Sequence, residues 1–309
     1  MPPGFSRCRG WSAACLLLAS FGYAAAQNIP VFNAGFEADN ITPGAFVVLQ
    51  PSGWTTYDPN GMIDNANNAI GVLRPLPGTE YFPAGTPQGS NAALVFLAGP
   101  QMGEAGLQQT LSSNLQANTR YRCTVQVGNI ASGWSLPGSS GGASNYFNLN
   151  GFPGYRIDVL AGTNVVGSDN NSIGSTIPEG EFRRARFYFD TGATPAELGQ
   201  PLAIRLVNLK APGSMAVPNI EVDFDEVVLT AGPIPVAAQL GLVLTNAQAG
   251  ISVAGTTGAS YRVEYASSLP TTNWTALTNL LLPASPYLIV DDDLVAEQGS
   301  RFYRALVVE

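Results

Sequence analysis

Short runs in which apolar and polar residues alternate dominate this chain, and the 3.6-residue period of a helix is scarce. In Arg120-Tyr-Arg-Cys-Thr-Val-Gln-Val, Tyr121, Cys123, Val125 and Val127 fall on one face, and Arg120, Arg122, Thr124 and Gln126 on the other. That period of two predicts a strand with one face buried. It also makes Cys123 a small core hydrophobe rather than a reactive thiol. Similar runs predict strands at Ala92–Ala98, Gly106–Leu111, Tyr155–Leu160, Phe182–Phe189, Leu202–Leu209 and Glu221–Leu229. Turn clusters such as Pro75–Gly78, Pro83–Gly89 and Thr191–Pro195 separate them. Many short strands punctuated in this way predict an all-β fold, an antiparallel jelly-roll β-sandwich.

The pattern also divides the chain. Residues 1–26 carry Arg7 and Arg9, a short apolar stretch and Ala24-Ala25-Ala26. They read as a secretory signal cleaved before Gln27, which predicts a secreted protein, extracellular or at the cell surface. The sandwich is expected over 27–231 and a Pro-rich linker over 232–239. A second, smaller all-β domain is expected over 240–309, with strands at Leu240–Leu244, Gly250–Ala254, Tyr261–Tyr265, Leu288–Val290 and Phe302–Val308.

Composition narrows the chemistry. The formal net charge is −8 and Lys210 is the only lysine, so phosphate backbones and anionic membranes are poor partners: no nucleic acid and no membrane insertion are expected. Histidine is absent. Ser-His-Asp and Cys-His nucleophile activation and His-ligated zinc are thereby excluded. A hydrolase would have to use carboxylates alone. Glu179/Glu181 and Asp291/Asp292/Asp293 are available for that, but they lie in turn-like stretches.

Aromatic residues cluster at turn-rich stretches. Trp134, Tyr146, Tyr57 and Tyr81, with Asn148, form a candidate ligand-binding set, because rings stack on the apolar faces of sugars while amides bond the hydroxyls. The segment Gly128–Tyr155 reads as a long loop anchored by Tyr146–Tyr155. Trp54 and Tyr155 read as core. Arg183, Arg184 and Arg186 read as partners for nearby carboxylates. Asp223 and Asp225 share one face of the closing strand, where like charges repel unless a cation or an Arg lies between them.

Five pieces occur in order: Asn33-Ala-Gly-Phe-Glu37, Gly53-Trp54, GLQQTLSSNLQANTRYRCTVQVGN, GYRIDVLAG and DFDEVVLTA. This order resembles the galactose-binding-like jelly rolls of secreted bacterial proteins, carbohydrate-binding modules among them. GASYRVEYASSL, TNWTALT and RFYRALVV resemble a small β module at the end of secreted proteins of environmental bacteria. The first resemblance implies a structural Ca²⁺ held by Glu37 and Asp225, with Asp223 as a further ligand, and a binding role rather than catalysis. The expected function is therefore a non-catalytic protein that binds carbohydrate or a cell-surface polymer, with a protein partner for the C-terminal domain. The alternatives are a structural or adhesive envelope protein and, third, a carboxylate-only glycan hydrolase.

Overall fold

The structure, a computed structural model, describes residues 26–78, 81–134, 145–245, 248–291 and 300–308. Residues 1–25 of the expected signal segment 1–26, the centre of the Gly/Ser-rich loop, and Asp292 and Asp293 lie outside the described residues. The first part of the chain forms β1 (Gln27–Ile29), β2 (Phe46–Val48), β3 (Thr55–Tyr57), β4 (Asn68–Leu73), β5 (Ala92–Leu97), β6 (Ala105–Asn114) and β7 (Thr119–Asn129). It continues with β8 (Gly133–Trp134), β9 (Tyr146–Phe147), β10 (Tyr155–Ala161), β11 (Asn164–Asn170), β12 (Glu181–Asp190), β13 (Pro201–Asn208) and β14 (Glu221–Pro233). No helix among the described residues is long and apolar enough to cross a membrane.

Two antiparallel sheets pack face to face. One runs β12-β7-β14-β5-β4-β2, with β1 added to the end of β14; the other runs β11-β10-β13-β6-β3. Their inner faces supply the expected alternation: Tyr121, Cys123, Val125 and Val127 are all buried in the core with Trp54, Tyr155, Val222 and Phe224. Burial pushes the Cys123 thiol up to about 12, which leaves it unreactive while the protein is folded. The remaining strands, β15 (Gln239–Thr245), β16 (Gln248–Ala254), β17 (Ser260–Ala266), β18 (Thr275–Leu281), β19 (Tyr287–Asp291) and β20 (Phe302–Val307), form two three-stranded sheets. Ile251, Val253, Tyr261 and Val263 make their core.

Two features of the larger sheet position a site. First, β4 (NAIGVL) and β5 (AALVFL) have little or no polar face, and they are buried on both sides. Ile70, Val72, Ala93 and Val95 face the sandwich core, whereas Leu73 and Leu94 belong to a second apolar cluster on the outer face. Second, β14 carries a bulge. Its register against β7 shifts between Asp225 and Val228, and Glu226 sits at φ +46°. Before the bulge Val222 and Phe224 face the core; after it Val227 and Leu229 do. Strict alternation would have put Glu226 on the core side with Phe224. The extra residue instead turns it outward, to bond Gln126 and Arg184.

Candidate functional site

The outer face of the larger sheet holds a cavity of about 190 Å³. Its floor is Ala69 and Leu73 of β4 and Leu94 and Phe96 of β5; its walls include Phe46, Tyr81, Ile130, Phe147 and Leu149. Small residues on the strands make the concavity. At Gly71 a Cβ would stand 2.3 Å from the Val47 carbonyl oxygen, so glycine lets β2 close over this edge. At Gly128 a Cβ would stand 2.6 Å from the Phe182 ring, so glycine lets that ring lie across the strand. Phe182 in turn packs on Phe82, with ring centroids 4.4 Å apart.

Into this apolar surface β14 projects Glu221 and Asp223, which alternate with the core residues Val222 and Phe224. Glu221 is the one carboxyl among the described residues lining the cavity, and Asp223 lies beside it between Leu94 and Gly128. Both are buried, and neither Asp223 oxygen has a hydrogen-bond partner. Burial pushes Glu221 up to about 8; burial and then the Glu221 charge push Asp223 well above the usual carboxylate range. A carboxyl in such surroundings is a neutral acid that can donate a proton.

The same burial makes stability depend on pH. The Glu221 pKa rises from 4.5 to about 8 on folding, so between those values the native state holds the extra proton. Stability is then full below the lower value and falls as pH rises toward the upper one. Relative to Glu221→Gln, the wild-type unfolding free energy is expected to fall by about 1.4 kcal/mol per pH unit across that window, measured by urea unfolding. Parallel pH profiles for the two proteins would refute a buried neutral Glu221.

A second group of oxygens lies where the first strand region meets β14. Glu37 Oε1 accepts the backbone N–H groups of Ser90 and Asn91 at 2.7 and 2.6 Å. Asp225 Oδ2 accepts Gln88 N–H at 2.7 Å. Burial, with the charges of Glu37 and Glu226, pushes Asp225 up to about 7 despite two backbone hydrogen bonds that favour its ionised form. At Gly35 a Cβ would stand 2.1 Å from the Gln88 amide oxygen and 3.3 Å from Asp225 Oδ1, so glycine keeps the space between these oxygens clear. Two carboxylates and an amide oxygen are hard donors of the kind Ca²⁺ takes. Asp223, the third expected ligand, has Glu221 as its charged neighbour instead. Among the described residues no group of three His, Cys, Asp or Glu is placed to hold a metal.

The expected ligand-binding aromatics separate. Trp134 and Tyr146 stand opposite each other in the β8–β9 hairpin, 56% and 54% exposed, with rings 5.4 Å apart. The next residue, Phe147, turns into the cavity, and Tyr81 also lines it. Asn148 is held by its bond to the Met215 carbonyl. Tyr57 belongs to the other sheet, where its hydroxyl donates to Glu104 and Arg205 lies over its ring. Sequence reasoning missed Glu221. Its signal was the run Glu221, Asp223, Asp225: three carboxyls at alternate positions of a strand whose neighbours are apolar on both faces.

A family model described as HpiC1 cyclase matches residues 27–230. Among solved structures, a cyclase from Fischerella sp. TAU is 38% identical over 68% of this chain and 98% of its own, with a TM-score of 0.57. A structure from the same source in complex with 4-(1H-indol-3-yl)butan-2-one is 38% identical over 67% and 98%, TM-score 0.57. The Stig cyclase Fisc from that source, in complex with (3Z)-3-(1-methyl-2-pyrrolidinylidene)-3H-indole, is 38% identical over 68% and 99%, TM-score 0.56. No curated protein matches the chain.

Proposed function

The chain belongs to the HpiC1-like cyclase family, and from that premise we propose that it closes a ring on an indole-bearing substrate held in the cavity over β14. Family membership overturns the expectation of a non-catalytic protein that binds carbohydrate or a surface polymer. Rings at turns suit sugar platforms and apolar cavities alike; here Tyr81 and Phe147 line a cavity whose other walls are aliphatic or aromatic, with few polar groups for hydroxyls. The galactose-binding resemblance reached the sandwich architecture but not the family.

One observation carries the reading: a buried carboxyl, Glu221, is set in an apolar, aromatic wall, with Asp223 enclosed beside it on the same strand. Such a site suits an apolar substrate that must be protonated away from water. Asp223 gives its proton to the substrate's unsaturated side chain, and a C–H bond forms as the O–H bond breaks. The indole π-system closes onto the resulting cation, forming the new C–C bond. Loss of a proton from the ring carbon then restores aromaticity, so the net reaction is an isomerisation. Phe46, Phe96 and Phe147 exclude water that would trap the cation, and their ring faces stabilise it. Calcium held by Glu37 and Asp225, with Gln88 beside them, would tie the first segment of the sandwich to its last strand. The role proposed for it is structural.

Purified protein is expected to convert 3-alkenylindoles to products of unchanged mass and to bind 4-(1H-indol-3-yl)butan-2-one. Ala69→Phe, which fills the cavity floor, is expected to lose both while the fold is retained by circular dichroism. Turnover and binding undiminished in Ala69→Phe would place the site elsewhere.

A further inference from the structure

Glu221 and Asp223 sit two residues apart on one strand face, about 6.6 Å along the backbone, yet they are placed differently. Glu221 lines the cavity beside Leu94, Phe96 and Leu149 and keeps 6% exposure. Asp223 is fully enclosed and is flanked across the sheet by Leu94 and Gly128. No Lys or Arg is among the described lining residues, and Tyr81 is the other ionisable group there.

An isomerising cyclisation needs a group to receive a proton as well as one to give it. Water cannot serve, because in a cavity open to water the cation would be trapped as an alcohol. We propose that Glu221 is a second catalytic residue, the base that takes the proton whose loss ends the cyclisation. The assignment rests on the proposed function above.

The step balances. As the substrate's C–H bond breaks, its electron pair restores the indole π-system, and the proton forms an O–H bond on the Glu221 carboxylate. Glu221 and Asp223 both start a cycle protonated; once Asp223 has given its proton, the Glu221 O–H bond breaks as its proton passes to the Asp223 carboxylate, and the Glu221 carboxylate so formed is the base. Termination returns a proton to Glu221, and both carboxyls are again protonated. No oxidant, reductant or co-reactant is required. Glu221 is the one carboxyl among the described residues on the wall, and Phe96 and Leu149 beside it offer no alternative acceptor.

Glu221→Gln tests this with a 3-alkenylindole that the wild-type protein cyclises. Its amide keeps the size of the side chain but accepts a proton far more weakly. Substrate consumption is expected to slow less than in Asp223→Asn. The wild-type ring product should drop from the dominant species to a minority, replaced by alkene isomers and water-trapped alcohol. Glu221→Asp, which keeps the carboxylate, should restore part of the wild-type product ratio, and it carries the test if the amide variant does not fold. An unchanged product ratio in the amide variant would overturn the proposal. So would complete loss of consumption in a variant that still binds 4-(1H-indol-3-yl)butan-2-one, because Glu221 would then be giving the first proton. A wild-type protein that cyclises no 3-alkenylindole would instead overturn the proposed function itself.

Discussion

Asp223→Asn is expected to lower the rate of ring closure by about 10²- to 10⁴-fold, the usual contribution of a positioned proton donor, while leaving the sandwich folded. The argument is one of shape and chemistry together. Asparagine matches the volume of the carboxylic acid, so the contacts with Leu94 and Gly128 persist. Neither Asp223 oxygen has a hydrogen bond to lose. What disappears is the acidic O–H. Removing a buried charge that had partners would cost stability, but a neutral acid replaced by a neutral amide should change the melting temperature little. A steady-state comparison on a 3-alkenylindole, with a thermal melt of each protein, tests both halves. A variant that cyclises within a few-fold of wild type would remove Asp223 from the chemistry. One that is unfolded would make its role structural.

The second large effect is on stability. If Ca²⁺ binds at Glu37 and Asp225, a concentration about 100-fold above its dissociation constant adds about 2.7 kcal/mol to the folded state. For a unit of 150–250 residues that corresponds to a rise in melting temperature of about 5–10 °C. Chelator should reverse it. Glu37→Gln and Asp225→Asn should each abolish the calcium response, and Asp223→Asn should keep it, since that side chain has Glu221 and not Glu37 as its charged neighbour. A melt indifferent to calcium and chelator would leave the two carboxylates as plain acceptors of the Ser90, Asn91 and Gln88 amides.

The sandwich was legible because its signal is local. The period-two pattern of Arg120–Val127 names residues that lie in the core, Tyr155 follows by the same logic, and the core position of Trp54 follows from its place after Gly53 in the resemblance. The strand at Asn68–Leu73 escaped because it is buried on both faces and so does not alternate. The site escaped for a related reason. A cavity over the outer face of a sheet depends on which neighbour strands are apolar on that side, and on where Gly71 and Gly128 remove side chains. Those facts belong to strand order, which no local pattern encodes. The carboxyls of β14 are visible in the sequence, where like charges on one face suggest a shared cation and the resemblance implies Asp223 as a further calcium ligand. Burial offers the other solution, in which the acid stays protonated, and burial was not readable from the strand alone. Absent histidine excludes several hydrolytic mechanisms and leaves carboxyl chemistry open, which serves a proton-initiated cyclisation as well as glycoside hydrolysis.

The bulge at Glu226 gives β14 a division of labour. Upstream of it, one side of the strand can vary its reactive groups while Val222 and Phe224 hold the other side in the core. Downstream, Val227 and Leu229 resume that hold in the opposite phase, and β1 pairs with the segment. The extra residue works like a splice between two rulers: a change in the chemistry read off one does not alter the spacing on the other. A fold built in this way can diversify the reaction it hosts without renegotiating how it closes its own ends.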